Sequence, residues 1–529
     1  MRGDCMRRWH SFLEIVQFPL ITLFISTILM GIGGLITNPN LATLVTINHR
    51  TVIVIAELLR YFGGMMIAYF PLLILIKALS KRFDDSVPVY LGIIGYILFH
   101  ISTMFFAPSN LPAYAYSNIM GIQVNLAQIT LEGTGVRYPL LVGILGSIII
   151  INITRYVYRR SRGLTGYGIL TFIDKDTWAA MTIMVFSTVA GVIVSYLWPY
   201  FIAFLLSIYR FIAMDITNPI NLLIYGISDR LLSVVGLARL IRTPFWFTEL
   251  GGAWMDSLGN NYVGDVAIWT AQRARGIVSL GFGRLITPYY VLNIFAIPAF
   301  LIATYQTFTD KLVKRKYRLF VVIAIVLSIL FGTLLPIEIF MVIVTPLLYF
   351  IHVLFSGVLF ALFEGLNVSI GYTFSGLEAV ATPANIVDLL IFLRNPQMQR
   401  SLMMVLSVGV FTWIFYYFMT LTYFRKLAID VLNIDEKHTK CDAISEAIGG
   451  IDNIRMVHST PVRLTVLPYD KSKVDFTRTH ITGLNKIVES RAGYAFSFGA
   501  SSYMLRKEMI KRMMEYQKAL LEQNINETD

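Results

Sequence analysis

Residues 319–366 read LFVVIAIVLSILFGTLLPIEIFMVIVTPLLYFIHVLFSGVLFALFEGL, an unbroken apolar run with its first charge at Glu338. About 20 helical residues span a hydrocarbon core of roughly 30 Å, so the run is too long for one crossing. Gly332 and Pro336 interrupt it, which predicts a broken or re-entrant element followed by a full span. Outward from it, residues 18–37, 55–79, 86–107, 138–158, 178–207, 217–238, 287–307 and 402–424 are further apolar segments of spanning length. About ten crossings follow from this pattern. Lipid offers the backbone no hydrogen-bond partners, so each crossing is expected to be helical.

Composition agrees. The chain has 529 residues, 56% hydrophobic and 14% charged, against roughly 25% charged in an ordinary soluble domain. A cytosolic enzyme is excluded. Of the chain's 44 Lys+Arg and 32 Asp+Glu, residues 427–529 hold 14 of each, so the whole net charge of +12 lies on residues 1–426. A basic excess on the apolar part is a topology signal before it is a nucleic-acid signal. Arg2, Arg7 and Arg8 precede the first segment; Lys77, Lys81 and Arg82 follow the second; Arg155, Arg159, Arg160 and Arg162 follow the fourth; Arg425 and Lys426 follow the last. These clusters place both termini in the cytoplasm, with an uncleaved start. Lys311, Lys314, Arg315, Lys316 and Arg318 belong on the same side, yet only one strong segment lies between 239 and 311. Either residues 243–286 cross or re-enter, or Arg239 and Arg242 sit inside the membrane. The stretch FWFTELGGAWMDSLGNNYVGDV, residues 245–266, suits either a cavity lining or an extracytoplasmic loop.

The expected domains are a membrane part over 1–426, a linker over 427–440, a small α/β domain over 441–516 and a polar tail over 517–529. CDAISEAIGG reads as an amphipathic helix ended by a glycine pair, IRMV, VRLTVL and GYAFSFG as strands, and SYMLRKEMIKRMMEYQKALLEQ as a closing helix. The balanced charge of this domain argues against nucleic acid as a partner. Cys5 and Cys441 support neither a disulfide framework nor a Cys-based metal site. His10, His49, His100, His352, His438 and His480 have no metal-binding spacing, and a phosphate loop with a lysine is absent, so no metal, cofactor or ATP chemistry is expected.

Several stretches together resemble the glucose and maltose type of the sugar phosphotransferase system, in which a membrane enzyme IIC precedes a cytoplasmic enzyme IIB. In the membrane part these are YFPLLILIKALSKR (69–82), YGISDRLLSVVGLARL (225–240), FAIPAFLIATY (295–305) and LFGTLLPIEIFMVIVTPLLYFIHVLFSGVLFAL (330–362). In the tail they are ISEAIGGIDNI (444–454), VRLTV (462–466), KSKVD (471–475) and GYAFSFG (493–499). No segment resembles enzyme IIA. The resemblance implies a dimeric permease of about ten spans in a bacterial cell membrane. Its solute would be a sugar or sugar-like molecule held at the membrane midplane, and a cytoplasmic phosphocarrier would serve the IIB domain.

The chemistry-bearing positions depart from that family. Members typically read G-I-T-E-P-I-E-F at the broken helix, where the first Glu accepts sugar hydroxyls; here Leu335 stands at that Glu, while the second, Glu338, survives. Leucine accepts no hydrogen bond. Glu338 reads either as a cavity ligand or as a helix-start carboxylate favoured by the dipole. Members read R-L-L-x-P-F-G-L-H-H where this chain has RLLSVVGLAR, so two histidines become Ala238 and Arg239, while Arg230 and Gly236 are kept. An arginine inside a membrane domain needs an anion or water, and Glu249, Asp256 and Asp265 are the candidate partners. In the tail, C-I-T-R-L-R-V becomes HSTPVRL, with His458 at the phosphorylated cysteine, Pro461 at the first arginine and Arg463 retained. Histidine can accept a phosphoryl group, so a relay at His458 stands against loss of the chemistry altogether. Two function classes remain open: a solute permease with impaired or absent phosphoryl transfer, or a non-transporting membrane sensor, regulator or interaction protein derived from one.

Overall fold

The computed structural model describes residues 2–38, 41, 49–83, 86–108, 110–117, 124–125, 136–161, 174–277, 281–307, 311–332, 334–372, 384–427, 434–460, 463–476, 487–490, 493–497 and 502–526. The chain divides into two compact units, Ile15–Ala428 and a second made of Met1–Glu14 with Ile429–Asp529.

The larger unit is helical. Its elements begin with the part of α1 (Arg2–Ile36) from Ile15 on, α2 (Arg50–Ala68), α3 (Phe70–Arg82) and α4 (Val87–Phe106), followed by the short strands β1 (Val124–Asn125) and β2 (Val136–Arg137). Next come α5 (Ile144–Ser161), α6 (Lys175–Met214), α7 (Pro219–Val234) and α8 (Ala238–Phe247). A hairpin of β3 (Ala253–Met255) and β4 (Asn261–Val263) leads to α9 (Asp265–Ala274). Then α10 (Thr287–Val291) passes through a π-turn at Leu292–Ala296 into α11 (Ile297–Gln306). Residues 311–366 resolve into α12 (Lys311–Phe331), α13 (Leu335–Val344) and α14 (Pro346–Gly365), and α15 (Ile386–Ile391) and α16 (Gln399–Leu427) close the unit.

Seven helical stretches among the described residues are long and apolar enough to cross a membrane, from Phe18–Ile36 through Pro396–Phe424. The expected segment 55–79 is not one helix: it breaks at Tyr69, where Pro71 opens α3. The expected segment 217–238 becomes the 16-residue α7, shortened by Gly236, whose φ of +78° closes the turn into α8. Residues 245–266 form the end of α8 and the β3–β4 hairpin, with Met255 and Leu258 exposed, so this part has the form of a surface loop.

The smaller unit contains α17 (Ile434–Ile448), an antiparallel sheet of β5 (Ile454–Ser459), β6 (Leu464–Pro468), β7 (Ile487–Ser490) and β8 (Gly493–Phe496) in the order β5-β6-β8-β7, and α18 (Ser502–Asn526). Ile444, Ala447 and Ile448 recur at helical spacing and pack with Leu505 and Met509 onto Val457, Leu464, Val466 and Phe496. Cys441 belongs to that core.

Candidate functional site

Three helices of the larger unit, α7, α8 and α13, bring charges together, and α14 adds a histidine. Asn218 caps α7 by accepting from the Ile220 amide, Pro219 opens the helix, and Asp229, Arg230 and Ser233 follow three turns on. α7 lies close against α14, since a Cβ added to Gly357 would stand 2.8 Å from the Leu223 carbonyl oxygen. α13 begins at Leu335 with a proline in its first turn, and Glu338 sits just inside that start.

The bonds form one network. Arg230 donates from Nη1 to Glu338 Oε1 at 2.7 Å and from Nε to Asp229 Oδ2 at 3.0 Å, and its Nη2 also bonds Asp229. Arg242 of α8 donates from Nε to Asp229 Oδ1 at 2.7 Å and from Nη2 to Ser233 Oγ at 3.0 Å. Tyr289 of α10 donates to Asp229 Oδ2 at 2.7 Å, and its ring lies under both guanidiniums, 4.9 Å from Arg230 and 5.7 Å from Arg242. On the far side, His352 Nε2 is 3.1 Å from the same Glu338 Oε1, and His352 Nδ1 is 2.9 Å from the Tyr416 hydroxyl of α16. Tyr349 donates to the Arg230 carbonyl at 2.9 Å.

An ionised Glu338 only accepts, so His352 Nε2 donates to it. Two carboxylates face two guanidiniums around the imidazole. Asp229, Arg230, Glu338 and His352 are each at most 1% exposed and Arg242 is 2% exposed, so the cluster is sealed from solvent. One acceptor is left over: Glu338 Oε2 has no hydrogen-bond partner among the described residues. An open groove lies elsewhere, on α14 and α16, lined by Leu348, Ile351, Phe411, Phe415 and Phe418.

The expected site residues divide. Arg230 and Glu338 come together, and Leu335 is half-buried one turn before Glu338. Ala238 is buried at the start of α8. Arg239 and Glu249 are exposed, and among the described residues neither joins the network. The sequence-based partners for a membrane arginine are corrected as well. Asp256 pairs with Arg275 beside the hairpin, and Asp265 accepts the backbone amides of Gly283 and Leu285. The carboxylate that holds the arginines is Asp229, beside Arg230 in the sequence. Of the two arginines considered for the membrane interior, Arg242 is inside the fold and Arg239 is not. Asp229, Tyr289 and Tyr416 were missed, and His352 was named only for its lack of metal-binding spacing; the signal for Asp229 was an Asp-Arg pair within an apolar helix, a costly arrangement unless used.

In the smaller unit His458 is exposed on β5, opposite Thr465 of β6. Arg463 is exposed in the adjoining turn, where the Thr460 amide donates to the Arg463 carbonyl at 2.8 Å. Pro461 lies outside the described residues.

These features define a multi-pass helical membrane protein with an ionic site in its core. A family model described as "Phosphotransferase system, EIIC" matches residues 14–357, and the chain belongs to that family. The matched range contains every residue of the buried network except Tyr416. A solved structure described as the transporter ChbC, the IIC component from the N,N'-diacetylchitobiose-specific phosphotransferase system, is similar at 12% identity and a TM-score of 0.30, with 80% of this chain and 95% of that chain covered.

Proposed function

We propose that the protein is a permease for a sugar or sugar-like solute, of the glucose and maltose type, that moves its solute without phosphorylating it. The proposal includes about ten crossings, cytoplasmic termini in a bacterial cell membrane, a dimer, and an enzyme IIB-like tail in which His458 has replaced the reactive cysteine. The observation that carries it is the state of Glu338: its Oε1 is committed to Arg230 and His352, while its buried Oε2 is free to accept a hydroxyl donor. A sugar hydroxyl is such a donor. Leu335 removes the other carboxylate of the resembling motif, and in the tail no thiol stands at the strand position where phosphate would be carried.

A second reading, a sensor or regulator derived from a permease, draws on the sealing of the same cluster, since bulky packing closes the place where a solute would bind. Uptake of labelled mono- and disaccharides into vesicles containing the full chain separates the two. Free sugar inside the vesicles supports the carrier, sugar phosphate formed by the purified chain with a phosphoryl donor overturns the uncoupled reading, and neither uptake nor counterflow favours the regulator.

A further inference from the structure

The open groove on α14 and α16 has no part in the ionic network. It encloses about 650 Å³, the size of a ligand pocket, and Leu348 and Ile351 of α14 and Phe411 and Phe418 of α16 line it. Thr422 and Tyr423 close one end. We propose that this groove holds one acyl chain of an anionic phospholipid, with the lipid phosphate where α14 begins and α16 ends.

The direction of the helices fixes that end. α10 and α11 run parallel to α16, since Phe295 lies against Gly409 and, further along both, Tyr417 donates to Gln306 at 2.5 Å. Tyr289, ahead of Phe295, meets the ring of Phe360 on α14, whereas His352, earlier on α14, meets Tyr416, later on α16. α14 and α16 are therefore antiparallel, and the turn Pro346–Leu348 stands level with Thr422 and Tyr423. The apolar span of α14 begins at Pro346 and that of α16 ends at Phe424, which puts this end of the groove at the headgroups. From Tyr423 back to Phe411 is about 18 Å at 1.5 Å per residue. One leaflet of a hydrocarbon core of roughly 30 Å is about 15 Å deep, so the groove runs the depth of one lipid tail.

The same end offers donors and positive charge. The first intrahelical bond of α14 runs from the Tyr349 amide to the Thr345 carbonyl at 3.0 Å, and the amides of Leu347 and Leu348 stand ahead of it. Thr345 supplies no side-chain cap, and Leu347 is exposed. Donors at a membrane helix start need an acceptor, and the positive end of the helix favours an anion. Arg425 and Lys426 stand on the last turn of α16, and Lys426 follows Tyr423 by three residues and Thr422 by four, the spacing of one helix face. A zwitterionic lipid brings its own cation beside the phosphate and gains less from these two. The chain also bears on the buried network from behind. Phe415 in the groove wall stacks on Phe355 at 4.9 Å, and Phe355 meets the Tyr416 ring, so an occupied groove joins α14 to α16 behind the His352–Tyr416 bond.

The test places a bromine-quenched fluorophore on Phe418→Cys at the rim of the groove, in the full chain with Cys5 and Cys441 changed to alanine. The labelled protein goes into phosphatidylcholine vesicles doped with either phosphatidylglycerol or phosphatidylcholine brominated on the acyl chains. Half-maximal quenching should need about tenfold less of the brominated phosphatidylglycerol, as expected for two basic residues at the headgroup. The same label on Ile148→Cys, an exposed position of α5, should be quenched equally by the two lipids. Arg425→Gln combined with Lys426→Gln should lower the preference at Phe418 several-fold and leave the quenching itself. Equal quenching by the two lipids at Phe418, or the same preference at Ile148, overturns the site. A preference undiminished by the double replacement overturns the headgroup contact and the proposal with it.

Discussion

Asp229 accepts from Arg230, Arg242 and Tyr289 at once, and among the described residues it is the only carboxylate bonded to both Arg230 and Arg242. Removing one member of a buried ionic pair strands the other without solvent, at a cost of about 3–5 kcal/mol. Asp229→Ala takes one carboxylate away from two buried guanidiniums. It should lower the thermal unfolding midpoint in detergent far more than Arg239→Ala, whose exposed side chain predicts a change within about 0.5 kcal/mol. Equal midpoints for the two variants would remove the network from any account of stability. Leu335 poses the opposite question, since a carboxylate there would restore the first acidic position of the resembling motif. Leu335→Glu would place that acid in the first turn of α13, one turn from Glu338, where the helix dipole favours it. It should still yield no sugar phosphate with a phosphoryl donor, because Ala238 and Arg239 stand where the motif has histidines and His458 stands where the motif has its thiol. Phosphorylation at the rate of an ordinary family member from this one change would show that the defects are not multiple.

The strand β5 decides what the smaller unit can do. A phosphate on His458 would need cations and amides around three oxygens, and Arg463, exposed in the β5–β6 turn, is the one retained cation of the motif. Its backbone is occupied: the Arg463 amide donates to Thr460 Oγ1 at 3.1 Å and its carbonyl accepts from the Thr460 amide. Proline at 461 has no amide to offer. The full chain mixed with a phosphorylated enzyme IIA donor should therefore show no acid-labile phosphohistidine, and a stoichiometric label lost in His458→Ala would return the protein to the phosphorylating transporters. At this scale much was legible from the sequence. Alternation in IRMV and VRLTVL gave strands, the Gly449–Gly450 pair gave the end of α17, and Gly332 with Pro336 gave the break between α12 and α13. The break at Tyr69 was hidden because apolar composition runs straight through it. The ionic cluster was half legible. Arg230 and Glu338 could be named from motif positions and Asp229 stands beside Arg230, but Arg242 and His352 meet them only through the packing of α7, α8, α13 and α14, and contacts between helices leave no periodic trace in a single sequence.

α6 is 40 residues long, about 60 Å of helix against a hydrocarbon core of roughly 30 Å. Even a tilt of about 40° leaves roughly 46 Å to accommodate. Its free side stays apolar along nearly its whole length: Trp178, Val185, Ile193, Leu197, Tyr200, Phe204, Phe211 and Met214 are all exposed. Lipid tails can cover only the part inside the hydrocarbon, and an apolar helix face standing in water beyond it is a surface that another protein covers. A second copy of the chain is the occupant expected from the resemblance, and a two-fold axis would set α6 against its own counterpart, so that one residue meets itself. In mild detergent or a lipid disc the protein should therefore run at twice the 59.9 kDa chain mass. Tyr200→Cys, on a background with Cys5 and Cys441 changed to alanine, should form an oxidative crosslink between chains, while a cysteine at Ala179 on the buried side of the same helix should not. A monomeric mass at every protein-to-lipid ratio, with no crosslink from any exposed position on α6, would leave that face without a partner and the dimer without support.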